Sequence, residues 1–172
     1  MNKSMNIFFA LVLSTLSLSG FAQDTKNKQP LFVPIQRLTL DTALKMAQAT
    51  IDACRKEGVQ VAVTIVDRGG NAQVVLRDVL APDVTLKISQ QKAYTAMSFN
   101  SPTSELEERF TLPFSVAKIQ GLVMSPGGLP IQAGGTQFGG IGVSGAPSGA
   151  TDEKCAQAGI NAVIHDLEME TM

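Results

Sequence analysis

Apolar residues recur at helical spacing in the segment that follows Thr39. They repeat every three to four positions until Gly58, and a threonine with an acidic residue in the next turn is typical of a helix N-terminus. The stretch 59–66 is almost wholly β-branched or small, the run 67–71 has the residues of a tight turn, and 72–76 is mainly apolar again. The pattern predicts an amphipathic helix followed by a β-hairpin.

The segment after the hairpin predicts two further helices. Asp83, directly after a proline, can cap a helix that ends near Phe99. Ser104 and Glu107 have the spacing of a capping box, which indicates a short third helix behind Pro102. Both helices precede the glycine-rich part of the chain.

Most of the glycines lie between residues 121 and 149. Short apolar runs separate them at Leu122–Met124, Leu129–Ile131 and Ile141–Val143, which predicts three strands joined by turns. A last helix is predicted from Thr151 onward. This order of elements favours an α+β fold, with an antiparallel sheet of about five strands and helices packed on it.

The first residues have the order of a secretory signal. Lys3 precedes an apolar stretch at 7–18 and a run of small residues that ends at Ala22. A bilayer span needs roughly twenty apolar residues, so we expect cleavage after Ala22 and a soluble periplasmic or secreted product without stable membrane insertion. The predicted division is a signal peptide at 1–22, a flexible N-terminal segment at 23–36 and one domain at 37–172.

Charge and cysteine spacing exclude some classes of site. Lys and Arg number 14 against 15 Asp and Glu, and no basic cluster occurs, which excludes nucleic acid as a partner. Cys54 and Cys155 are too far apart in sequence for a zinc pair or a redox Cys-x-x-Cys. A bridge between them is possible in an oxidising compartment. We favour two buried thiols, because the sequence gives no distance between their Cα atoms.

Two familiar motifs are rejected. Residues 140–145 fit G-x-G-x-x-G, but Pro147 interrupts the turn, so a glycine-rich strand that another backbone or ligand approaches closely is favoured. Ser144, Asp152 and His165 stand in the chain order of a hydrolase triad, yet the nucleophile elbow is missing. We therefore identify no catalytic constellation, and we expect the single histidine to be solvated.

The second predicted helix contains an unusual aromatic and cationic group. Lys92 and Thr95 lie near one face, Tyr94 is the only tyrosine, and Phe99 follows one turn after Thr95. Such an edge would suit a flat anionic ligand, with rings for its faces and the lysine for a carboxylate. On composition alone, the same residues are better explained as helix core with a snorkelling lysine.

Four separated motifs occur in one order along the chain: Val66–Asn71, Lys92–Ala96, Phe99–Leu106 and Gly140–Gly149. Together they resemble the GlcG/HbpS-like haem-binding family, which is related to the C-terminal domain of PduO, over about residues 38–162. The resemblance implies a profilin-like fold, assembly into homo-oligomers and, for exported members, haem binding linked to haem or iron handling and oxidative-stress sensing. A sensor or transport protein is a further candidate partner.

The chain departs from this family at two places. The exported haem-binding relative has Glu-x-x-Glu on its second helix as an iron site, where this chain has Lys87 and Gln90, which argues against iron binding there. A threonine implicated in that relative's haem site is replaced by Leu122, which cannot ligate iron. The remaining candidates for an axial ligand of haem iron are Tyr94, Met124 and His165.

We predict an exported, oligomeric protein that binds haem or a related tetrapyrrole. The candidate ligand-binding residues are Lys92, Tyr94, Thr95, Phe99, Thr103, Met124 and Ser144. Two alternatives stay open. One is a small enzyme that acts on haem or on a small organic acid, with Lys92 and Ser144 as polar groups. The other is a signalling partner that binds protein without haem.

Overall fold

A four-stranded antiparallel sheet with the order β2-β1-β4-β3 forms the centre of the fold. The computed structural model describes residues 29–171, and the unit that contains the sheet begins at Pro34. The strands are β1 (Ala62–Asp67), β2 (Ala72–Arg77), β3 (Gly128–Ala133) and β4 (Thr136–Ser144). Every residue of β1 is buried, which explains why its sequence is a continuous run of β-branched and small residues.

Four α-helices accompany the sheet: α1 (Leu40–Lys56), α2 (Val84–Phe99), α3 (Gly149–Asn161) and α4 (Ile164–Thr171). Because side chains alternate along a strand, Val63 and Ile65 of β1 pack in the main core with α1 and α3. Val66, one strand position further, packs instead with Ala93 and Met97 of α2. The sheet therefore has α2 on one face and α1 with α3 on the other.

Glycines in β4 allow α2 to lie directly against the sheet. A Cβ added at Gly142 would come within 2.0 Å of the Ser89 carbonyl oxygen, and one at Gly140 within 2.4 Å of the Ala93 carbonyl oxygen. The G-x-G pattern is thus explained by a helix backbone that approaches the strand. This confirms the interpretation of the motif as a glycine-rich strand under close packing.

The helices and the hairpin predicted before residue 100 are confirmed. The Thr39 side chain caps α1 by accepting from the backbone N–H of Thr42 at 3.3 Å. The prediction that Asp83 caps α2 through its side chain is wrong, because its carboxylate pairs with Arg77 and makes no capping bond. The last helix begins at Gly149, before the expected Thr151.

Two predictions about the middle of the chain are wrong. Residues Leu122–Met124 do not form a strand, so the sheet has four strands and not about five. The N–H of Leu122 donates to Ile119 and that of Val123 to a side chain of α2, and this leaves no strand ladder. The expected capping box at Ser104 is absent too, because its hydroxyl donates to Glu153 from within a 3₁₀-helix over Thr103–Thr111.

A disulfide joins Cys54 of α1 to Cys155 of α3 across a Cα–Cα distance of 5.4 Å. The sequence-based preference for two free thiols is therefore wrong, although both residues are buried as expected. The predicted signal peptide lies outside the described residues. Within residues 29–171, no helix is both long and apolar enough to cross a membrane.

Candidate functional site

A cleft of about 450 Å³ lies between the 3₁₀-helix Thr103–Thr111 and the segment that precedes β3. Its lining residues are Glu107, Thr111, Leu122, Val123, Met124 and Ser125. Residues Leu122–Ser125 form one side, which we call the cleft wall, and the two residues of the 3₁₀-helix add polar groups. The volume is in the range of small-molecule sites, and the wall is apolar for three of its four side chains.

The cleft wall is anchored to α2. The buried hydroxyl of Thr95 accepts from the backbone N–H of Val123 at 3.0 Å and donates to the Gln91 carbonyl at 2.7 Å. Thr95 was predicted to touch the ligand, but the structure places its hydroxyl behind the wall. It therefore fixes the backbone whose side chains line the cleft.

Residues just beyond the wall are fixed in a similar way. The buried hydroxyl of Thr103 accepts from the N–H of Gly128 at 2.8 Å. The N–H of Gly127 donates to Glu153 at 3.2 Å, and Glu153 also accepts from Ser104 at 2.8 Å. Thr103 thus holds the start of β3 and does not line the cleft.

The apolar base of the wall belongs to a small buried cluster, formed by Leu106, Ala117 and Met124, which we call the cleft cluster. Phe99 and Leu122 pack against it. Met124 is thus almost fully buried and still reaches the lining of the cleft. Among the three candidate axial ligands, Met124 is the one that lines this cavity.

Lys92 lies inside the subunit and is paired there. Its Nζ is 2.9 Å from Asp152 Oδ2 and donates to the Val143 carbonyl at 3.0 Å, and both charged side chains are only 4% exposed. Asp152 Oδ1 also accepts from the N–H of Ala146 at 3.0 Å. Burial raises the pKa of Asp152, an effect that the nearby Lys92 ammonium opposes. A role for Lys92 at a ligand stays a prediction.

The remaining candidates are distributed over other parts of the fold. Tyr94 is 42% exposed, and its ring lies beside the β1–β2 turn, where a Cβ on Gly70 would come within 2.6 Å of it. His165 is exposed on α4, as expected, and Ser144 is buried opposite Ala62 in the sheet. Ser144, Asp152 and His165 stand in the chain order of a hydrolase triad, but the Asp152 carboxylate accepts from Lys92 and not from His165.

A second groove of about 560 Å³ lies between the start of α1 and α4, and both of its basic side chains are in ion pairs. Arg37 is 3.5 Å from Asp67, and Lys45 is 3.1 Å from Asp166. We therefore take the cleft beside Met124 as the candidate site. Sequence reasoning named Met124 and noted Leu122, but it missed Glu107, Thr111, Val123 and Ser125 as lining residues. It assigned Leu122–Met124 to a strand, because an apolar triplet in a glycine-rich region is typical of one.

Comparison with known proteins relates the chain to one family. The family model described as "Haem degrading protein HbpS-like" matches residues 38–161. A double mutant of HbpS from Streptomyces reticuli is 41% identical, with a TM-score of 0.73 over 77% of this chain and 90% of that one. A PduOC:heme complex is 28% identical, with a TM-score of 0.68 over 73% of this chain and 94% of that one.

The chain is also similar to one curated protein. This 15.0 kDa protein of Citrobacter freundii, encoded between dhaT and dhaS, is 34% identical over 116 residues, which are 64% of this chain and 82% of the relative. The resemblance predicted from the four motifs is confirmed. Because the matched region runs from Leu38 to the last residue of α3 and so contains the whole sheet, the chain belongs to the GlcG/HbpS-like family.

Proposed function

We propose that this protein binds haem, or a related tetrapyrrole, in the cleft between the 3₁₀-helix and the cleft wall. The observation that carries the proposal is an apolar cavity of about 450 Å³ with Met124, a residue whose side chain can ligate haem iron, among its lining residues. Leu122, at the position where the resemblance puts a haem-site threonine, lies in the same wall. The haem complex of the related PduOC supports the choice of ligand.

The residues of the cleft fit this cofactor. Leu122 and Val123 offer apolar surface for the faces or edges of a flat macrocycle, whose burial is favoured by about 25 cal/mol per Å² of apolar surface removed from water. Met124 would supply the axial ligand, since thioether sulfur ligates haem iron in other proteins. Bound haem supplies an iron centre that can bind small ligands or change its oxidation state.

Haem degradation is the second candidate, favoured by the description of the family whose model matches. In that case the cleft would hold haem while an added oxidant such as hydrogen peroxide attacks it. The Soret band of the haem complex would then disappear faster than that of free haemin under the same peroxide. Equal rates would leave binding without degradation.

We also propose that the protein works outside the cytoplasm and assembles into homo-oligomers, with oxidative-stress sensing or haem handling as its setting. The Cys54–Cys155 disulfide supports export, because such bridges persist in oxidising compartments. Exposed apolar side chains at Leu112, Phe114 and Ile119 support contact with another copy. Sedimentation of the purified protein tests the assembly, and a monomer at all concentrations would contradict it.

Haemin titration tests the proposed binding. The wild-type protein should shift the Soret band at one haemin per subunit, and Met124→Leu should change the position of the band because the thioether is lost. Tyr94→Phe and His165→Ala are matched controls, since both residues are exposed away from the cleft lining and should leave the spectrum unchanged. A wild-type protein without any Soret shift would refute the proposal, and a change in either control alone would relocate the site.

A further inference from the structure

Arg109 lies on the 3₁₀-helix that supplies two lining residues of the cleft. It is exposed near the end of the 3₁₀-helix Thr103–Thr111, and its Cζ lies 5.7 Å from the centroid of the Phe99 ring. A guanidinium at this distance from an aromatic face is attracted to the ring. The contact restricts the side chain, which would otherwise be free to move in solvent.

Phe99 links this guanidinium to the cleft. Its ring packs against the cleft cluster, which contains Met124, and Leu122 packs against the same cluster. Two neighbours of Arg109 on its own helix, Glu107 and Thr111, line the cleft directly. The guanidinium is therefore connected to the cavity through the Phe99 ring and the cleft cluster against which that ring packs.

The donors of Arg109 are not used by any carboxylate of the described residues. Three other arginines, Arg37, Arg55 and Arg77, each lie within salt-bridge distance of an aspartate. No such pair involves Arg109 within residues 29–171. A guanidinium presents a planar fork of N–H donors that matches a carboxylate in two-point contact.

We infer that Arg109 binds a carboxylate group of the ligand in the cleft, so that the ligand is a flat apolar molecule with at least one acidic side group. This inference rests on the proposed function and deepens it. Glu107 determines which way the ligand is oriented, because its carboxylate in the lining of the cleft repels a carboxylate of the ligand. The acidic edge of the ligand therefore points to the side of Arg109, and the apolar part enters between Leu122 and Met124.

Haemin and its dimethyl ester, titrated in parallel, test this role. The two ligands share the macrocycle and the iron, but the ester lacks free carboxylates. Arg109→Gln should weaken the binding of haemin about tenfold, the loss expected for one charge-assisted contact, and should change the binding of the ester less than twofold. Arg109→Lys should fall between wild type and Arg109→Gln, because it keeps the charge and loses the planar fork.

Arg68→Gln is the matched control, since Arg68 is an exposed arginine in the β1–β2 turn. Its guanidinium donates to the side-chain oxygen of Gln137 in β4. This variant should bind both ligands as wild type does. If Arg109→Gln binds haemin as tightly as wild type, or loses both ligands equally, the inference is wrong even though haem binding stands. If wild type binds neither ligand, the proposed function fails, and the role of Arg109 fails with it.

Discussion

Replacing Lys92 by methionine should destabilise the fold, because its ammonium group is bound to protein groups inside the subunit. The substitution keeps an unbranched side chain of similar length but leaves Asp152 and the Val143 carbonyl without their shared donor, in a place where the charged side chains are 4% exposed. Removal of one partner from a buried ion pair costs about 3–5 kcal/mol. That is a large part of the 5–15 kcal/mol typical of a whole domain.

Urea unfolding followed by circular dichroism measures this loss. Lys87→Met is the matched control, because Lys87 is exposed on the same helix and should change the free energy of unfolding by less than about 0.5 kcal/mol. The double variant Lys92→Met with Asp152→Asn should recover part of the loss, since it removes the unpaired charge. The haemin affinity of folded Lys92→Met separates the two roles of Lys92, since a value equal to that of wild type indicates a structural role alone.

The reasoning fails if Lys92→Met unfolds at the same urea concentration as Lys87→Met. A normal unfolding transition combined with weaker haemin binding would restore the interpretation of Lys92 as a group that meets the ligand.

Three further predictions concern stability. Replacing Cys54 and Cys155 by alanine should lower the free energy of unfolding by about 4.7 kcal/mol in urea, since the bridge joins residues 101 apart; an unchanged value would contradict this. Gly142→Ala should lower the melting temperature markedly, because its Cβ would meet the backbone of α2, and a wild-type melt would contradict that packing. The side-chain hydrogen bond from Arg55 lowers the pKa of Asp78 in the folded protein. The ionised Asp78 therefore stabilises the fold above about pH 4, and this contribution is lost as the pH falls further. Asp78→Asn should remove that part of the acid sensitivity in urea unfolding between pH 2 and 6.

Local sequence patterns are sufficient for the elements whose stability is local. Thr39 caps α1 as its position predicts, and the turn residues 67–71 join two strands as expected. The run Leu122–Met124 is different, because the N–H of Val123 is bound by Thr95, 28 residues earlier. A side chain this far away in sequence takes the place of a neighbouring strand as the hydrogen-bond partner. Such a contact leaves no periodic pattern in the sequence.

The candidate site shows the same division. Met124 was recognised from the chemistry of its sulfur, which needs no knowledge of its neighbours. Lys92 was proposed for a ligand because its charge, beside aromatic residues, suits a carboxylate. Its partner Asp152 lies 60 residues further along the chain, so no local pattern indicates their pairing. Arg109 was overlooked because its significance depends on the ring of Phe99, which only the folded chain brings beside it.

The location of bound haem tests the account most directly, and methionine methyl groups report it. In protein labelled at these methyls, ferric haem should strongly shift or broaden the signal of Met124 in the cleft. The signals of buried Met46, of Met97 beside the Tyr94 ring and of exposed Met169 on α4 should be much less affected. A perturbed Met97 or Met169 with an unchanged Met124 would place haem elsewhere and contradict the proposed site.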